Sequence, residues 1–175
     1  MGMTVVWGTV KDYSGYVDIR SEQNKGTVCT LFFPVCREEK FEGKASMPID
    51  QYLAKGESIL VVDDVEEQRI IISQILKKLG YKVTTVPSGE EALNYMHYNS
   101  SDLLILDMIM DPGINGLETY KRILKLNPNQ KAIIASGFSE TEHVKETLKL
   151  GAGAYIKKPY SFEKIGRAIR AELDK

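Results

Sequence analysis

Short apolar runs alternate with amphipathic stretches from residue 57 to residue 175, and this alternation limits the fold more than any other feature. Five such runs are rich in Val, Ile and Leu and are bounded by Gly, Pro, Asp or Ser, as buried parallel strands are. They occupy residues 58–62, 82–86, 103–106, 131–135 and 153–156. Five strands that alternate with five helices predict an α/β fold, a doubly wound five-stranded parallel sheet with helices on both faces.

The predicted helices have recognisable ends. The first carries an apolar stripe at helical spacing over residues 71–79. Gly80 follows this stripe and is interpreted as its C-cap. Ser88 and Asn115 are predicted to cap the next two helices at their N-termini, and Ser161 is predicted to open the last one.

The first 36 residues have a different pattern. Residues 4–11 are predicted to form a helix, and residues 16–20 and 27–33 are predicted to form two strands. Residues 23–26 are a plausible turn that joins these strands into a β-hairpin. A helix and one hairpin cannot close a core of their own.

We therefore divide the chain into three parts. Residues 1–36 form a fragment with one helix and a hairpin, residues 37–56 a charged linker interrupted by Gly and Pro, and residues 57–175 the α/β domain. Glu57 is interpreted as a solvated surface charge. Because the fragment leaves apolar surface and open strand edges, we expect it to dock on the α/β domain or to pair two chains as a homodimer.

Charge and composition exclude several functions. The formal net charge is −1, which predicts no general affinity for nucleic acid or for an anionic membrane. No apolar run approaches the roughly 20 residues that span a bilayer, and no secretion signal is visible, so we expect no direct membrane contact. The cysteines and histidines, which lack metal-binding spacing, are interpreted as structural or exposed residues in a reduced, cytoplasmic setting. They are Cys29, Cys36, His97 and His143.

Four charged residues stand at the ends of predicted strands. Asp63 and Asp64 close the first strand, Asp107 closes the third, and Lys158 follows the fifth. The carboxyl ends of parallel strands lie on one edge of the sheet, so we expect these side chains to meet there. Clustered carboxylates suit Mg²⁺, and a lysine beside them suits a phosphoryl group. The pattern predicts phosphoryl chemistry at an acidic pocket.

These residues and several others, in the same order, resemble the receiver domain of two-component response regulators. The matching positions are Asp63-Asp64, Asp107, Met110, Pro112, Asn115, Gly116, Ser136, Tyr155 and Lys158-Pro159. The resemblance covers about two thirds of the chain and implies a flavodoxin-like sheet of strand order 2-1-3-4-5. It also implies a cis peptide bond before Pro159. One departure is Asp111, an extra residue between Met110 and Pro112.

The resemblance also implies a metal site and a reaction. Asp64, Asp107 and the backbone carbonyl of Ile109 would hold Mg²⁺, with Asp63 acting through water. Asp107 would accept a phosphoryl group from the phosphohistidine of a histidine kinase or a histidine phosphotransfer protein. Positioning and charge neutralisation would supply most of the catalysis.

Three further residues would act as parts of a switch, by the same resemblance. Lys158 would pair first with Asp107 and then with the phosphoryl group. Ser136 would donate a hydrogen bond to a phosphoryl oxygen, and Tyr155 would turn inward to fill the vacated space. The resemblance places the contact surface on the last two helices and the fifth strand.

Each of these residues alone has an ordinary structural explanation as well. The Asp63-Asp64 pair could cap the next helix, and Asp107 could be a turn residue at a strand end. Ser136 could be a turn hydroxyl, and Tyr155 could be an edge-packed aromatic. The joint arrangement of the three aspartates with a lysine favours the functional interpretation.

The N-terminal fragment resembles the end of a histidine-kinase ATP-binding domain. Residues 2–11 are similar to the tail of its last glycine box and the next helix, and residues 15–19 and 26–34 to its closing hairpin. The asparagine box, the adenine-binding aspartate, the ATP lid and the histidine-bearing helix are not in this sequence. The resemblance therefore implies the C-terminal part of a hybrid histidine kinase, a signalling domain and not an enzyme.

Two other function classes fit the sequence less well. An aspartate-nucleophile phosphatase needs an acid-base aspartate two residues after its nucleophile, but Ile109 stands two after Asp107 and Val65 two after Asp63. An inactive interaction module with the same fold would not need Asp107, Ser136 and Lys158 together.

Overall fold

The computed structural model describes residues 2–34, 49–137 and 142–175, with side chains from residue 6 in the first range and from residue 51 in the second. Contacts divide the chain into two compact units, Met1–Ala45 and Ser46–Lys175. Residues 37–48 of the predicted linker, and Cys36 before them, lie outside the described residues. No helix in the described ranges is both long enough and apolar enough to span a bilayer.

The N-terminal unit contains the predicted helix and hairpin. Helix α1 (Gly2–Asp12) precedes strands β1 (Tyr16–Glu22) and β2 (Gly26–Phe32), which pair antiparallel with Tyr16 opposite Phe32. A Cβ at Gly15 would lie 2.7 Å from both the Phe32 carbonyl oxygen and the Val10 side chain, so only glycine allows the chain to turn this closely from helix to strand. Large apolar side chains remain exposed on the unit, including Trp7, Tyr13, Val28 and Phe33.

The second unit holds a parallel sheet, and each of its strands lies within one residue of its predicted bounds. The strands are β3 (Ser58–Val62), β4 (Lys82–Val86), β5 (Leu103–Asp107), β6 (Ala132–Ser136) and β7 (Ala154–Lys157). Their order across the sheet is β4-β3-β5-β6-β7, and all neighbours pair parallel. This is the expected order 2-1-3-4-5, so the predicted fold class is confirmed.

A helix follows each strand. The helices are α2 (Glu66–Lys78), α3 (Gly89–Tyr98), α4 (Gly116–Leu126), α5 (Glu142–Lys149) and α6 (Phe162–Leu173). The predicted N-caps are confirmed, because the side-chain oxygens of Ser88, Asn115 and Ser161 each accept a hydrogen bond from the backbone N–H three residues later.

The end of α2 differs by one residue from the prediction. The C-cap is Leu79, and Gly80 follows it with a φ of +87°. The Gly80 N–H donates to the Lys77 carbonyl and the Tyr81 N–H to the Leu76 carbonyl, which satisfies the last helical acceptors. Glycine is suited to this left-handed position because it has no Cβ.

Alternate residues of the central strands pack on opposite faces of the sheet. On one face, Leu60, Leu104 and Ile134 pack in a core with residues of α3, α4 and α5. On the other face, Ile59, Ile105 and Ile133 pack in a core with residues of α2 and α6. Burial on both faces holds the strand ends in fixed positions, and those ends carry the candidate site.

The interpretation of Glu57 as a solvated charge was wrong. Its Oε1 accepts a hydrogen bond of 2.5 Å from Nη2 of Arg170 on α6, whose side chain is only 8% exposed. Burial raises the pKa of Glu57, but the hydrogen bonds from Arg170 and from the backbone N–H groups of Glu57 and Lys55 together outweigh burial and leave this pKa below its ordinary value. Arg170 also donates to the Leu53 carbonyl, and Tyr52 packs against Gly166, so part of the predicted linker lies on α6.

Candidate functional site

Three carboxylates meet at the carboxyl edge of the sheet. Asp63 and Asp64 directly follow β3, and Asp107 ends the neighbouring strand β5. One oxygen from each carboxylate lies within 4.8 Å of the other two. Among the described residues this is the one such group of His, Cys, Asp or Glu, so Cys29, His97 and His143 belong to no other.

Lys158 brings one positive charge into this cluster. It lies one residue beyond β7, and its Nζ donates to Asp63 Oδ2 at 2.5 Å and to Asp107 Oδ2 at 2.6 Å. The expected pairing with Asp107 is present, and the contact with Asp63 was not anticipated. The peptide bond between Lys158 and Pro159 is cis, as the resemblance implied.

Burial sets the electrostatics of these groups. Asp63 is 1% exposed and Asp107 is 8% exposed. Burial raises the pKa of Asp107 above its ordinary value, although the hydrogen bond from Lys158 opposes this shift. Burial lowers the pKa of Lys158, but its hydrogen bonds to Asp107 and Asp63 prevail and raise it overall. Three ionised carboxylates and one ammonium leave a net charge of −2 in a largely buried site.

The donor set fits a hard divalent cation. Carboxylate oxygens are the ligands that Mg²⁺ takes, and the residual negative charge favours it. Asp64 is the half-buried member of the cluster, and its Oδ2 accepts the backbone N–H of Asp111 at 3.4 Å. The Ile109 N–H donates to Asp107 Oδ1 at 3.2 Å, and the Ile109 carbonyl stays a predicted ligand.

The first residues of α4 pack against the backbone of Asp107. A Cβ at Gly116 would lie 2.2 Å from the Asp107 carbonyl oxygen, so only glycine allows this helix to approach the strand end so closely. The Gly116 N–H donates to the Met108 carbonyl at 3.3 Å, and Asn115 caps the helix. The backbone of Asp107 is therefore held between the sheet and α4.

Ser136 and Tyr155 lie on the neighbouring strands. Ser136 ends β6 and is 2% exposed, and its carbonyl accepts the Lys158 backbone N–H at 2.9 Å. Tyr155 is half-buried on β7, pairs in register with Ile134, and packs against the core on the α3 and α4 face. Their switch roles stay predictions.

Two neighbours of the site were missed by sequence reasoning. Nη1 of Arg69 donates to the carbonyl oxygens of both Asp63, at 2.7 Å, and Asp64, at 2.9 Å. Tyr160 follows Pro159, and burial together with the negative charges of Asp63 and Asp107 raises its pKa. Nothing in one sequence distinguishes Arg69 from an ordinary surface arginine of an amphipathic helix.

Comparison with known proteins gives a consistent result. A family model described as "Response regulator receiver domain" matches residues 59–170. Sporulation initiation phosphotransferase F of Bacillus subtilis is 32% identical over 118 residues, which cover 67% of this chain and 94% of that protein. Sensor kinase CckA of Brucella abortus is 26% identical over an alignment of 184 residues that covers the whole of this chain, yet only 19% of the kinase.

A solved structure agrees with these sequence matches. The response regulator protein TrrA of Thermotoga maritima, in complex with Mg²⁺-BeF, has a TM-score of 0.60 and 32% sequence identity. The match covers 66% of this chain and 97% of that one.

Proposed function

Because the chain belongs to the response regulator receiver family, it is a phosphoacceptor module of a two-component phosphorelay, and we propose that Asp107 is the residue that accepts the phosphoryl group. The observation that carries this proposal is the meeting of Asp63, Asp64, Asp107 and Lys158 at one sheet edge. A carboxylate oxygen of Asp107 would bond to phosphorus as the phosphorus–nitrogen bond of a phosphohistidine breaks. The histidine nitrogen would leave with the bonding electron pair.

We propose that the site binds Mg²⁺ through Asp64, Asp107 and the Ile109 carbonyl, with Asp63 acting through water. Receiver domains bind Mg²⁺ at their acidic pocket, and the carboxylates gathered in this chain suit that ion. Bound Mg²⁺ supplies charge neutralisation for the phosphoryl oxygens. The protein's own contribution is position, because the strand ends and the Arg69 hydrogen bonds fix the backbone of the acidic pair.

Lys158 and Ser136 would serve the phosphoryl group directly. The Lys158 ammonium, shared between Asp63 and Asp107, lies where it can contact an oxygen of a phosphoryl group on Asp107. Ser136 would donate a hydrogen bond to another oxygen, and Tyr155 would then turn inward. This is a two-state switch biased by a local change of charge.

The wider context is also a proposal. The donor would be the phosphohistidine of a histidine kinase or a phosphotransfer protein, in the cytoplasm. Residues 1–36 would be the end of a kinase ATP-binding domain, followed by a linker at 37–56 and the receiver at 57–175, in a hybrid kinase. The whole-chain match to a sensor kinase, and the helix and hairpin of the first unit, support this division.

Phosphorylation with a small donor tests the central assignment. The chain is incubated with acetyl phosphate and Mg²⁺, and the modified residue is mapped by mass spectrometry. We expect one phosphoryl group on Asp107, none in Asp107→Asn, and normal labelling in Asp111→Asn, which removes an exposed carboxylate from the next loop. Labelling that persists in Asp107→Asn would contradict the assignment.

A further inference from the structure

We propose that Glu90 is a positioning residue for the metal site, because its carboxylate fixes the loop after Asp107 and so holds the Asp111 amide against Asp64. The loop concerned is residues 108–115, which contains the extra residue Asp111. The inference rests on the proposed function, in which Asp64 is a Mg²⁺ ligand. The partner that this inference gives to the loop lies on α3, a helix that carries none of the site residues described above.

The first contact is between Glu90 and the far end of the loop. Glu90 lies in the first turn of α3, and its Oε1 accepts the backbone N–H of Ile114 at 2.9 Å. The N–H groups of Glu90 itself and of Ile114 lower the pKa of Glu90, so the carboxylate is ionised at neutral pH. Hydrogen bonds to an ionised acceptor are stronger than those between neutral groups.

The second contact depends on a glycine. Gly113 has a φ of +128°, and a Cβ there would lie 2.8 Å from Glu90 Oε2. The carboxylate therefore lies directly against the loop backbone, at a position where L side chains are both strained and obstructed. Beside it, a Cβ at Gly89 would lie 2.6 Å from the Ile114 side chain, so α3 contacts the loop through backbone and side chain together.

The loop transmits these contacts to the acidic cluster. Met110 is 5% exposed and anchors the near end, while Glu90 anchors the far end at Ile114. Between the two anchors, the Asp111 N–H reaches Asp64 Oδ2. Within the described part of the chain, the Asp64 carboxylate accepts a hydrogen bond from this amide and forms no ion pair with a cationic side chain.

A ligand carboxylate that has one weak partner depends on that partner for its orientation. Outer partners of metal ligands commonly change metal affinity by about 10- to 100-fold when they are removed. Glu90 does not contact Asp64 itself but acts on it through the loop, so we expect a change of metal affinity at the lower end of this range. Its loss should weaken Mg²⁺ binding by about tenfold.

The test measures Mg²⁺ affinity of the full chain by calorimetry in three variants at position 90. Glu90→Ala removes the carboxylate and should weaken binding about tenfold. Glu90→Asp keeps the charge but shortens the side chain by one methylene, so it should weaken binding similarly. Glu90→Gln loses the charge but keeps an acceptor oxygen at the same reach, so it should retain most of the affinity.

The matched control is Glu91→Ala. Glu91 is the exposed neighbour in the same helical turn, and its removal changes the net charge equally. We expect its Mg²⁺ affinity to equal that of the parent. Hydrogen exchange of the Ile114 amide gives a readout without metal, and it should become faster in Glu90→Ala and Glu90→Asp only.

The outcomes separate this inference from the proposed function. If Glu90→Gln and Glu91→Ala both lost Mg²⁺ affinity to the same extent as Glu90→Ala, the effect would be one of general charge, and the positioning role would be overturned. Parent affinity in Glu90→Ala and Glu90→Asp would overturn it as well, while the metal site stands. A parent chain that binds no Mg²⁺ would refute the metal site itself, and the inference with it.

Discussion

Replacing Asp64 by Asn should stabilise the protein in the absence of metal and remove its response to Mg²⁺. Lys158 is hydrogen-bonded to Asp63 and Asp107, so its positive charge neutralises those two carboxylates more than that of Asp64. Asp64 therefore faces a net charge of −1 from those three groups, with carboxylate oxygens within 4.8 Å. Asparagine keeps an oxygen that can accept the Asp111 amide, so the change removes charge and little else.

The expected gain follows from Coulomb's law. Two like unit charges about 5 Å apart repel by about 3 kcal/mol at an effective dielectric constant near 20. Asp64 is half-buried, and its contact with solvent should reduce this to about 1.5 kcal/mol. For a unit of this size, that gain in the free energy of unfolding raises the melting temperature by about 5 °C.

Thermal unfolding with and without Mg²⁺ measures both effects. At about ten times its dissociation constant, Mg²⁺ should stabilise the parent by about 1.4 kcal/mol, since it binds only the folded state. Asp64→Asn should have most of that extra stability already without metal, and its free energy of unfolding should rise little when Mg²⁺ is added. The control Asp111→Asn removes an exposed carboxylate nearby and should respond to Mg²⁺ like the parent. An Asp64→Asn protein that melts lower than the parent and still responds fully to Mg²⁺ would refute the clustered-charge argument.

Three further outcomes are expected. Gly116→Ala should lower the free energy of unfolding by about 1–3 kcal/mol in urea titrations, because its Cβ would collide with the Asp107 carbonyl oxygen. Glu57→Ala should cost about 3 kcal/mol in the same assay, because it removes the closer carboxylate of the buried Arg170 guanidinium and leaves Asp174 Oδ2, 3.9 Å from Nε, as the other. Burial raises the pKa of Asp107 in the folded state, so between the ordinary and the raised value the folded protein holds a proton that the unfolded chain has lost. The stability contributed by this group therefore falls as pH rises through that window, and Asp107→Asn should abolish this part of the pH dependence of unfolding.

The features that sequence predicted well are those that local chemistry decides. The β-strands have their predicted positions because short apolar runs bounded by turn residues form buried strands in an α/β chain. The caps at Ser88, Asn115 and Ser161 were recognisable because a side-chain oxygen three residues before an amide satisfies a helix terminus. The acidic cluster was predictable although its residues are far apart in the chain, since the strand ends of a parallel sheet share one edge.

Most of the features that sequence did not predict are contacts between residues far apart in the chain. Glu57 and Arg170 are separated by more than a hundred residues, and neither has a local pattern that reveals the other. Glu90 is an ordinary first-turn glutamate until the fold brings the Gly113-Ile114 backbone against it. Arg69 has the spacing of a surface residue, yet it reaches back to the acidic pair. Such contacts depend on how loops and helices meet in three dimensions, which periodicity and capping do not encode.

A fixed backbone and an unbalanced charge together explain how such a site can respond to the addition of one phosphoryl group. The backbone that carries these carboxylates is held in place, because Arg69 binds the carbonyl oxygens of the acidic pair and Gly116 lies against the backbone of Asp107. Repulsion between carboxylates on a fixed backbone responds to a change of charge. A phosphoryl group on Asp107 would carry up to two negative charges and draw the Lys158 ammonium away from Asp63. Asp63, at 1% exposure, would then lose its neutralising partner in a place that water hardly reaches, so the charge change must be balanced by metal or by rearrangement of the surrounding loops.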